Sequence, residues 1–276
     1  MAHSLMTIHP TAIVEDGAQL GADVEIGPYC IVGAQVVLGD GVKLHSHIVM
    51  KGRVELGARS VVHSHSVLGD EGQIRNHHDP EARLVIGVDT VIREAVTMHT
   101  GSKKGGGITA VGDRGYFMAT SHIGHDCHVG NDVTFANGVQ LGGHAEIGDG
   151  VIIGGTSPVA QFRRVGKYAF VGGLTGVARD VIPYGMAIDR GPALDGLNII
   201  GMKRRNIPRE TIHKVRAAYR LIFHTEGGSL YDRAQRASET WADIAEVQDI
   251  TTFILRDRKL PIAIPHRRRA KTDDAE

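Results

Sequence analysis

Large rings, cysteines, net charge and long apolar runs are all scarce in this 276-residue chain, and each scarcity excludes something. Aromatic residues make up 5%, too few to fill a broad globular core, so a narrow one is expected. The two cysteines rule out a disulfide framework, and both are expected to be buried, reduced core residues. Thirty-one basic residues balance thirty-one acidic ones, so no global field recruits nucleic acid. No apolar run approaches the ~18 residues of a membrane span, and the N-terminus lacks a signal peptide's apolar stretch. A cytoplasmic protein without stable membrane insertion is the expectation. Glycine, by contrast, is plentiful at 36 residues.

What is present is a period of six. Stepping by six from Ile8 gives Val14, Leu20, Ile26, Val32, Leu38, Leu44, Met50, Leu56, Val62 and Leu68, and the phase returns at Ile86, Ile92 and Met98. It slips by one residue and resumes from Val111 through Phe117, Ile123, Val129 and Phe135 to Val177. Neither a helix (3.6) nor an alternating strand (2) repeats this way; a hexapeptide repeat marks a parallel β-helix. The position after the aliphatic is often Gly, as at Gly27, Gly39, Gly124 and Gly142, which reads as a corner needing unusual dihedrals. Four residues after the aliphatic comes a small or β-branched side chain such as Cys30, Val36, Cys127 or Ala145, also pointing inward. Three hexads close a triangular coil of 18 residues, and coils stack at about 4.8 Å. The fold class is mainly β, a left-handed parallel β-helix followed by a small C-terminal α-helical domain. The left hand belongs to the architecture and is not readable from the period.

The expected organisation is a β-helix over 1–190, a connecting segment and helical domain over 191–265, and a disordered tail over 266–276. Two polar excursions interrupt the repeat, at 70–84 and at 100–110, the second causing the slip. From Pro208 the pattern is helical, with Ile212, Val215, Tyr219 and Ile222 on one face; further helices are expected over Leu230–Ala237 and from about Trp241 to Leu255. Flat-faced β-helices of this kind commonly close into rings by heterologous contacts, so a homotrimer is expected.

The densest titratable cluster is SHIGHDCHVG at 121–130. Residues 18 apart stack one coil apart, so His125, Gly143 and Gln161 form one column, and Asp126 and His144 another. Three readings of the cluster stand. His125 is a general base oriented by Asp126; or the histidines bind a metal, as in β-helical carbonic anhydrases; or they merely pair across coils or bind water, a reading strengthened by the many histidines, such as His45, His47, His63 and His65, that sit at ordinary coil positions. Lys203, Arg209, Lys214, Arg216 and Arg220, with Arg204 and Arg205, concentrate positive charge at the start of the helical domain. They read either as a solvated helix face or as a dock for an acidic partner, which Arg163 and Arg164 would extend. Arg163 falls on an inward small position, so its corner must bulge.

HIGHDCHVGN, the GGH of 142–144, IIGG at 152–155, QF at 161–162, VGG at 171–173, IREAVTMHTG at 92–101, GGGIT at 105–109 and LNIIGMKRR at 197–205 resemble the acyl-carrier-protein-dependent UDP-N-acetylglucosamine acyltransferases of lipid A biosynthesis. The resemblance covers the chain to about residue 255. It implies that His125, assisted by Asp126, deprotonates the sugar 3-hydroxyl, which attacks the thioester of a 3-hydroxyacyl chain on acyl carrier protein, with no cofactor and no metal. It implies that the Gly143 N–H stabilises the oxyanion, and that Gln73, His99, His122, His144 and Gln161 surround the substrate. It assigns Asn198, Arg204 and Arg205 to the nucleotide, Gly173 to gauging acyl length, and the basic segment to the carrier protein. Departures occur at Ile74 and Asn76, where the family has Asp and Lys, and at Ala160 and Ile200. They leave open N-acylation of the 3-amino analogue of the sugar, or a non-catalytic paralogue that binds nucleotide sugar or carrier protein.

Overall fold

The computed structural model describes residues 6–188, 193–256 and 261–265; the tail 266–276 lies outside them. Strands of two to four residues recur every hexad and stack in parallel into three faces. The first face starts from Thr7–Ile8, Glu25–Ile26 and Lys43–Leu44, the second from Ile13–Val14 and Ile31–Val32, the third from Gln19–Leu20 and Val36–Leu38. The faces hold 11, 8 and 8 strands and enclose the prism of a left-handed parallel β-helix. In most two-residue strands the second residue points inward: Ile26, Leu44, Val62, Ile92, Ile123, Leu141 and Ile153 are all buried, as are Cys30, Cys127 and Ala145. Each full burial contributes about 1.5–3 kcal/mol. The prism also takes two rings, Phe117 and Phe135, which meet edge to face at 5.1 Å.

The corner glycines have a different cause from the one expected. Gly27 and Gly39 are not left-handed; a Cβ at Gly27 would stand 2.1 Å from the His45 carbonyl of the next coil, and one at Gly39 2.5 Å from the Ala58 nitrogen. Close stacking of coils demands glycine there. The left-handed residue lies two positions further on and is mostly not glycine: Tyr29, His47, Arg59, Asp126, His144 and Phe162 all have φ between 56° and 67°.

Insertion lengths explain the phase. Ile86 stacks on Leu56 at a separation of 30 residues, and Val111 on Ile86 at 25, where a plain coil takes 18. The first excursion therefore adds two whole hexads and preserves phase; the second adds seven residues and shifts it by one. Strands begin again at Arg83 and Ile108, so the excursions end sooner than 84 and 110.

Past Pro183 the first face continues through Gly185–Ala187 and an antiparallel strand, Gly196–Leu197. Four helices follow: α1 (Ile199–Arg204), which the periodicity missed as too short, α2 (Arg209–His224), α3 (Leu230–Thr240) and α4 (Ala245–Leu255). The turn 241–244 separates α3 from α4, so the last helix starts later than Trp241. Arg163 and Arg164 are not surface groups. Arg164 is 2% exposed, donates through Nε to Asp180 Oδ2 at 2.6 Å and through Nη1 to the Phe253 carbonyl, and lies 4.1 Å from the Phe253 ring. Buried Arg163 lies 3.8 Å from Asp180 Oδ1. The cations that looked available to a partner instead close the prism's end and pin α4 to it.

Candidate functional site

His125 and Asp126 sit at the corner between the second and third faces. Hexad arithmetic places His125 two residues after inward Ile123, and Asp126 takes the left-handed position at φ 59°, which Asp tolerates better than most residues. That conformation turns the carboxylate back onto the ring: His125 Nδ1 and Asp126 Oδ2 are 2.7 Å apart. Asp126 also accepts from the Ser102 N–H at Oδ1 and from the Ser102 hydroxyl at Oδ2, and its own N–H donates to Thr109 Oγ1. Burial acts to raise the Asp126 carboxyl, but the donors from Ser102 and His125 outweigh it and hold the group below the usual carboxylate range. An ionised Asp126 keeps the proton of His125 on Nδ1, so the lone pair faces outward on Nε2.

Gly143 lies one coil below. A Cβ there would come within 2.5 Å of both Nε2 and Cε1 of His125. Only a glycine leaves the working edge of the imidazole open. At the corner between the third and first faces several N–H groups two residues after an inward aliphatic donate to a side chain of a neighbouring coil, as Ala22 N–H does to Asp40, Asp113 N–H to Asn131, and Asn131 N–H to Asp149, whereas the equivalent N–H groups of Ala119 and Asn137, after the first face, make no such bond among the described residues. Among the described residues the Gly143 N–H donates to none, which suits it to an oxyanion beside the base.

His144 extends the site: its Nε2 is 3.6 Å from Asp126 Oδ2, its ring meets His125 edge-on at 5.1 Å, and Phe162 stacks on its other side at 4.6 Å. His99 and His122 meet edge-on at 4.8 Å, and Thr97 holds His122 Nδ1 at 2.7 Å. Burial keeps these neighbours neutral, lowering His122 to about 4 and depressing His99 and His144 as well. His99 Nδ1 is buried without a partner among the described residues. His125, Asp126 and His144 place a ligand atom each within 4.8 Å of one another, the spacing a cation needs. That use competes with the Asp126 bond to His125 Nδ1. The histidines nearer the N-terminus form plain ladders: His45 stacks on His63 at 4.5 Å, and Tyr29, His47 and His65 stack in series. Cys127 is buried, its thiol pushed up to about 12 by desolvation, so it is no nucleophile.

The first excursion also reaches His125, since a Cβ on Gly72 would meet the His125 Cβ at 2.7 Å. Gln73 follows on it, exposed, as does Gln161 in the column below Gly143. Other expected residues lie on other edges. Gly173 is on the corner between the first and second faces, stacked on Gly155. Asn198 and Arg205 sit on the corner between the third and first. Asn198 caps α1, accepting from Gly201 N–H and donating to the Tyr168 carbonyl. Arg205 stacks on Tyr168 at 4.2 Å and donates to the Gly150 carbonyl, while Arg204 is exposed. One chain thus does not bring the three groups together. Lys203, Arg209 and Arg216 rim an open hollow with Ile199, Ile207 and Ile212, and Arg216 and Arg220 rim the next with Leu197 and Tyr219. Lys214 is tied to Glu210 at 3.2 Å. Another hollow, about 910 Å³, lies between the third face and α4, where Glu146–Arg256 and Lys167–Asp249 pair. Sequence reasoning missed Ser102, which stands outside the hexad columns, and Thr109, which the arithmetic could have found: it takes the inward small position 18 residues before Cys127 and is buried.

A buried His–Asp pair beside an amide N–H with no partner among the described residues, on the edge of a left-handed hexapeptide β-helix, is the arrangement of a hexapeptide-repeat acyltransferase. Residues 180–262 match the family model described as UDP-N-acetylglucosamine O-acyltransferase, domain 2, and residues 6–102 match that of the GMPPB C-terminal domain. The chain is 46% identical over 261 residues to the acyl-[acyl-carrier-protein]–UDP-N-acetylglucosamine O-acyltransferase of Rhizobium johnstonii, covering 94% of this chain and 95% of that one. It is 44% identical to the Agrobacterium fabrum enzyme of the same name, covering 94% and 96%. The solved UDP-N-acetylglucosamine acyltransferases of Campylobacter jejuni and Francisella novicida superpose with TM-scores of 0.87 and 0.88 at 32% and 30% identity. They cover 95% and 94% of this chain, and 100% and 95% of their own. The chain belongs to the acyl-[acyl-carrier-protein]–UDP-N-acetylglucosamine O-acyltransferase family.

Proposed function

We propose that the protein transfers a 3-hydroxyacyl chain from acyl carrier protein to the 3-hydroxyl of UDP-N-acetylglucosamine, the first step of lipid A assembly. The observation that carries this is the His125 ring, held at Nδ1 by Asp126 with Nε2 turned to Gly143. Nε2 takes the proton of the sugar hydroxyl as its oxygen bonds to the thioester carbon. The Gly143 N–H donates a hydrogen bond to the carbonyl oxygen as negative charge develops on it. The C–S bond then breaks and His125 returns the proton to the departing thiolate. His99, His122, His144, Gln73 and Gln161 surround the acceptor, Asn198, Arg204 and Arg205 receive the diphosphate, and Gly173 limits the acyl chain. Lys203, Arg209, Arg216 and Arg220 offer an open basic surface to the acidic carrier protein; Lys214, paired with Glu210, contributes less.

A homotrimer fits the same reading. Base, acyl gauge and nucleotide segment occupy three different edges of one prism, so copies of the chain must meet to complete a site. Outward positions support it: Ile31, Val49 and Val67 on the second face and Val61, Val91, Ile152 and Phe170 on the first are apolar, whereas the third carries Glu55, Arg83, His128 and Glu146. No helix among the described residues is long and apolar enough to cross a membrane.

N-acylation of the 3-amino analogue is the second reading. It is favoured by Ile74 and Asn76, on the excursion that packs against His125, because they remove a carboxylate and a cation from the acceptor's surroundings. Parallel assays of a 3-hydroxyacyl carrier-protein panel with both sugars decide. Faster turnover of UDP-N-acetylglucosamine is expected; turnover of the amino sugar alone makes those substitutions the specificity switch, and turnover of neither supports a binding paralogue.

A further inference from the structure

The second excursion delivers a residue whose role the reaction above does not assign. Its seven extra residues bring Ser102, 3% exposed, onto the Asp126 carboxylate. Ser102 engages both carboxylate oxygens, N–H to Oδ1 at 2.6 Å and Oγ–H to Oδ2 at 2.7 Å. The hydroxyl proton has a fixed direction, because Gly105 N–H donates to Ser102 Oγ and leaves Oδ2 as the acceptor for the Ser102 proton. A one-turn 3₁₀ helix, Lys103–Gly105, holds this geometry, and Gly107 N–H donates to the Ser102 carbonyl at 2.8 Å. Gly105 lies flat against the carboxylate: a Cβ there would come 2.1 Å from Asp126 Cγ. The excursion is thus built around Asp126.

Three donors, two from Ser102 and one from His125, hold this carboxylate. With both oxygens engaged it cannot rotate, so the His125 ring plane is set by a residue 23 positions upstream. Sharing its charge with Ser102 also weakens its pull on the Nδ1 proton. We propose that Ser102 is a positioning residue of the proton-transfer site, fixing the His125 ring through Asp126 and setting how strongly the carboxylate stabilises the imidazolium. The inference rests on the acyl-transfer reading. The other titratable groups facing the pair are His144 beside Asp126 Oδ2, His99 and His122 on the second face, and Asp70 near His99.

The test compares the full-chain wild type with Ser102→Ala, Ser102→Thr, Ser102→Val and Lys103→Ala, using purified acyl carrier protein thioester and UDP-N-acetylglucosamine across pH. Loss of a charge-assisted hydrogen bond predicts a fall in kcat of about tenfold or more in Ser102→Ala. KM for the sugar should stay within about twofold, since Ser102 acts through the base and not on the acceptor. The acidic limb of the kcat profile should move to higher pH, because a less shared carboxylate holds the imidazolium more tightly. Thr and Val are near-isosteres that differ in the hydroxyl, so Thr should restore rate and limb and Val should not, even if the Ala variant fails to fold. Exposed Lys103 should be replaceable without effect. Wild-type kcat and an unmoved limb in the Val variant overturn the proposal. If the wild type transfers no acyl group, the reaction reading fails. The Ser102 inference is then decided by NMR of the His125 imidazole: the Nδ1–H resonance is expected further downfield in Ser102→Val than in Ser102→Thr, because the less shared carboxylate takes a stronger hydrogen bond from it, and identical spectra overturn it.

Discussion

Replacing Gly143 by alanine adds one methyl group where the site has no room for it. The new Cβ would stand 2.5 Å from Nε2 and Cε1 of His125 and 3.0 Å from Nδ1. Restoring an ordinary contact requires the ring to retreat by about 1 Å, and misplacement on that scale costs on the order of 10²-fold in rate. The ring cannot retreat and keep its 2.7 Å bond to Asp126, and losing a charge-assisted bond adds ~1.5–3 kcal/mol. Together these predict a fall in kcat of about 10³–10⁴. The backbone at 143 is not left-handed, so alanine suits it, and its entropic gain of ~0.4–1 kcal/mol offsets part of the crowding. The thermal unfolding midpoint should therefore fall by only a few degrees while thiol release from acyl carrier protein collapses. A Gly143→Ala enzyme within threefold of wild-type kcat would refute the placement of His125 Nε2 against this glycine, and with it the shared base and oxyanion site.

Two further outcomes are expected. At Gly173 the same substitution meets open ground, the nearest atom to a Cβ being the Gly155 carbonyl oxygen at 3.5 Å. A Gly173→Met protein should fold normally and shift its preference to shorter acyl chains, whereas an unchanged chain profile removes the gauge. Asp180→Ala should destabilise the protein by about 3–5 kcal/mol in urea titrations by leaving Arg164 buried and uncompensated, and a loss below about 1 kcal/mol would mean the pair does not hold the helical domain to the prism.

Much of the site was legible because a β-helix is a one-dimensional lattice. Once Ile123 and Leu141 are inward, the stacking of His125 over Gly143 and of Asp126 over His144 is arithmetic, and the structure reproduces both columns. The same arithmetic misjudged the corners. It assigned unusual dihedrals to the glycine after each aliphatic, while the left-handed residue is two positions later and is often Asp, His or Tyr. The requirement for glycine comes from the neighbouring coil, which a single hexad does not contain.

The amino-acid order by itself determined the repeat, the inward residues, the two excursions and the stacking of His125 over Gly143, because each follows from spacing along the chain. Tertiary structure alone decided what leaves that lattice. It put Ser102 on Asp126, since the path of an inserted loop depends on where it closes. It buried Arg163 and Arg164 at the prism's end, where Asp180 and Phe253 outweigh exposure to solvent. It placed Asn198 and Arg205 on an edge away from both His125 and Gly173, because past Pro183 the chain leaves the repeat and its path is no longer fixed by the period.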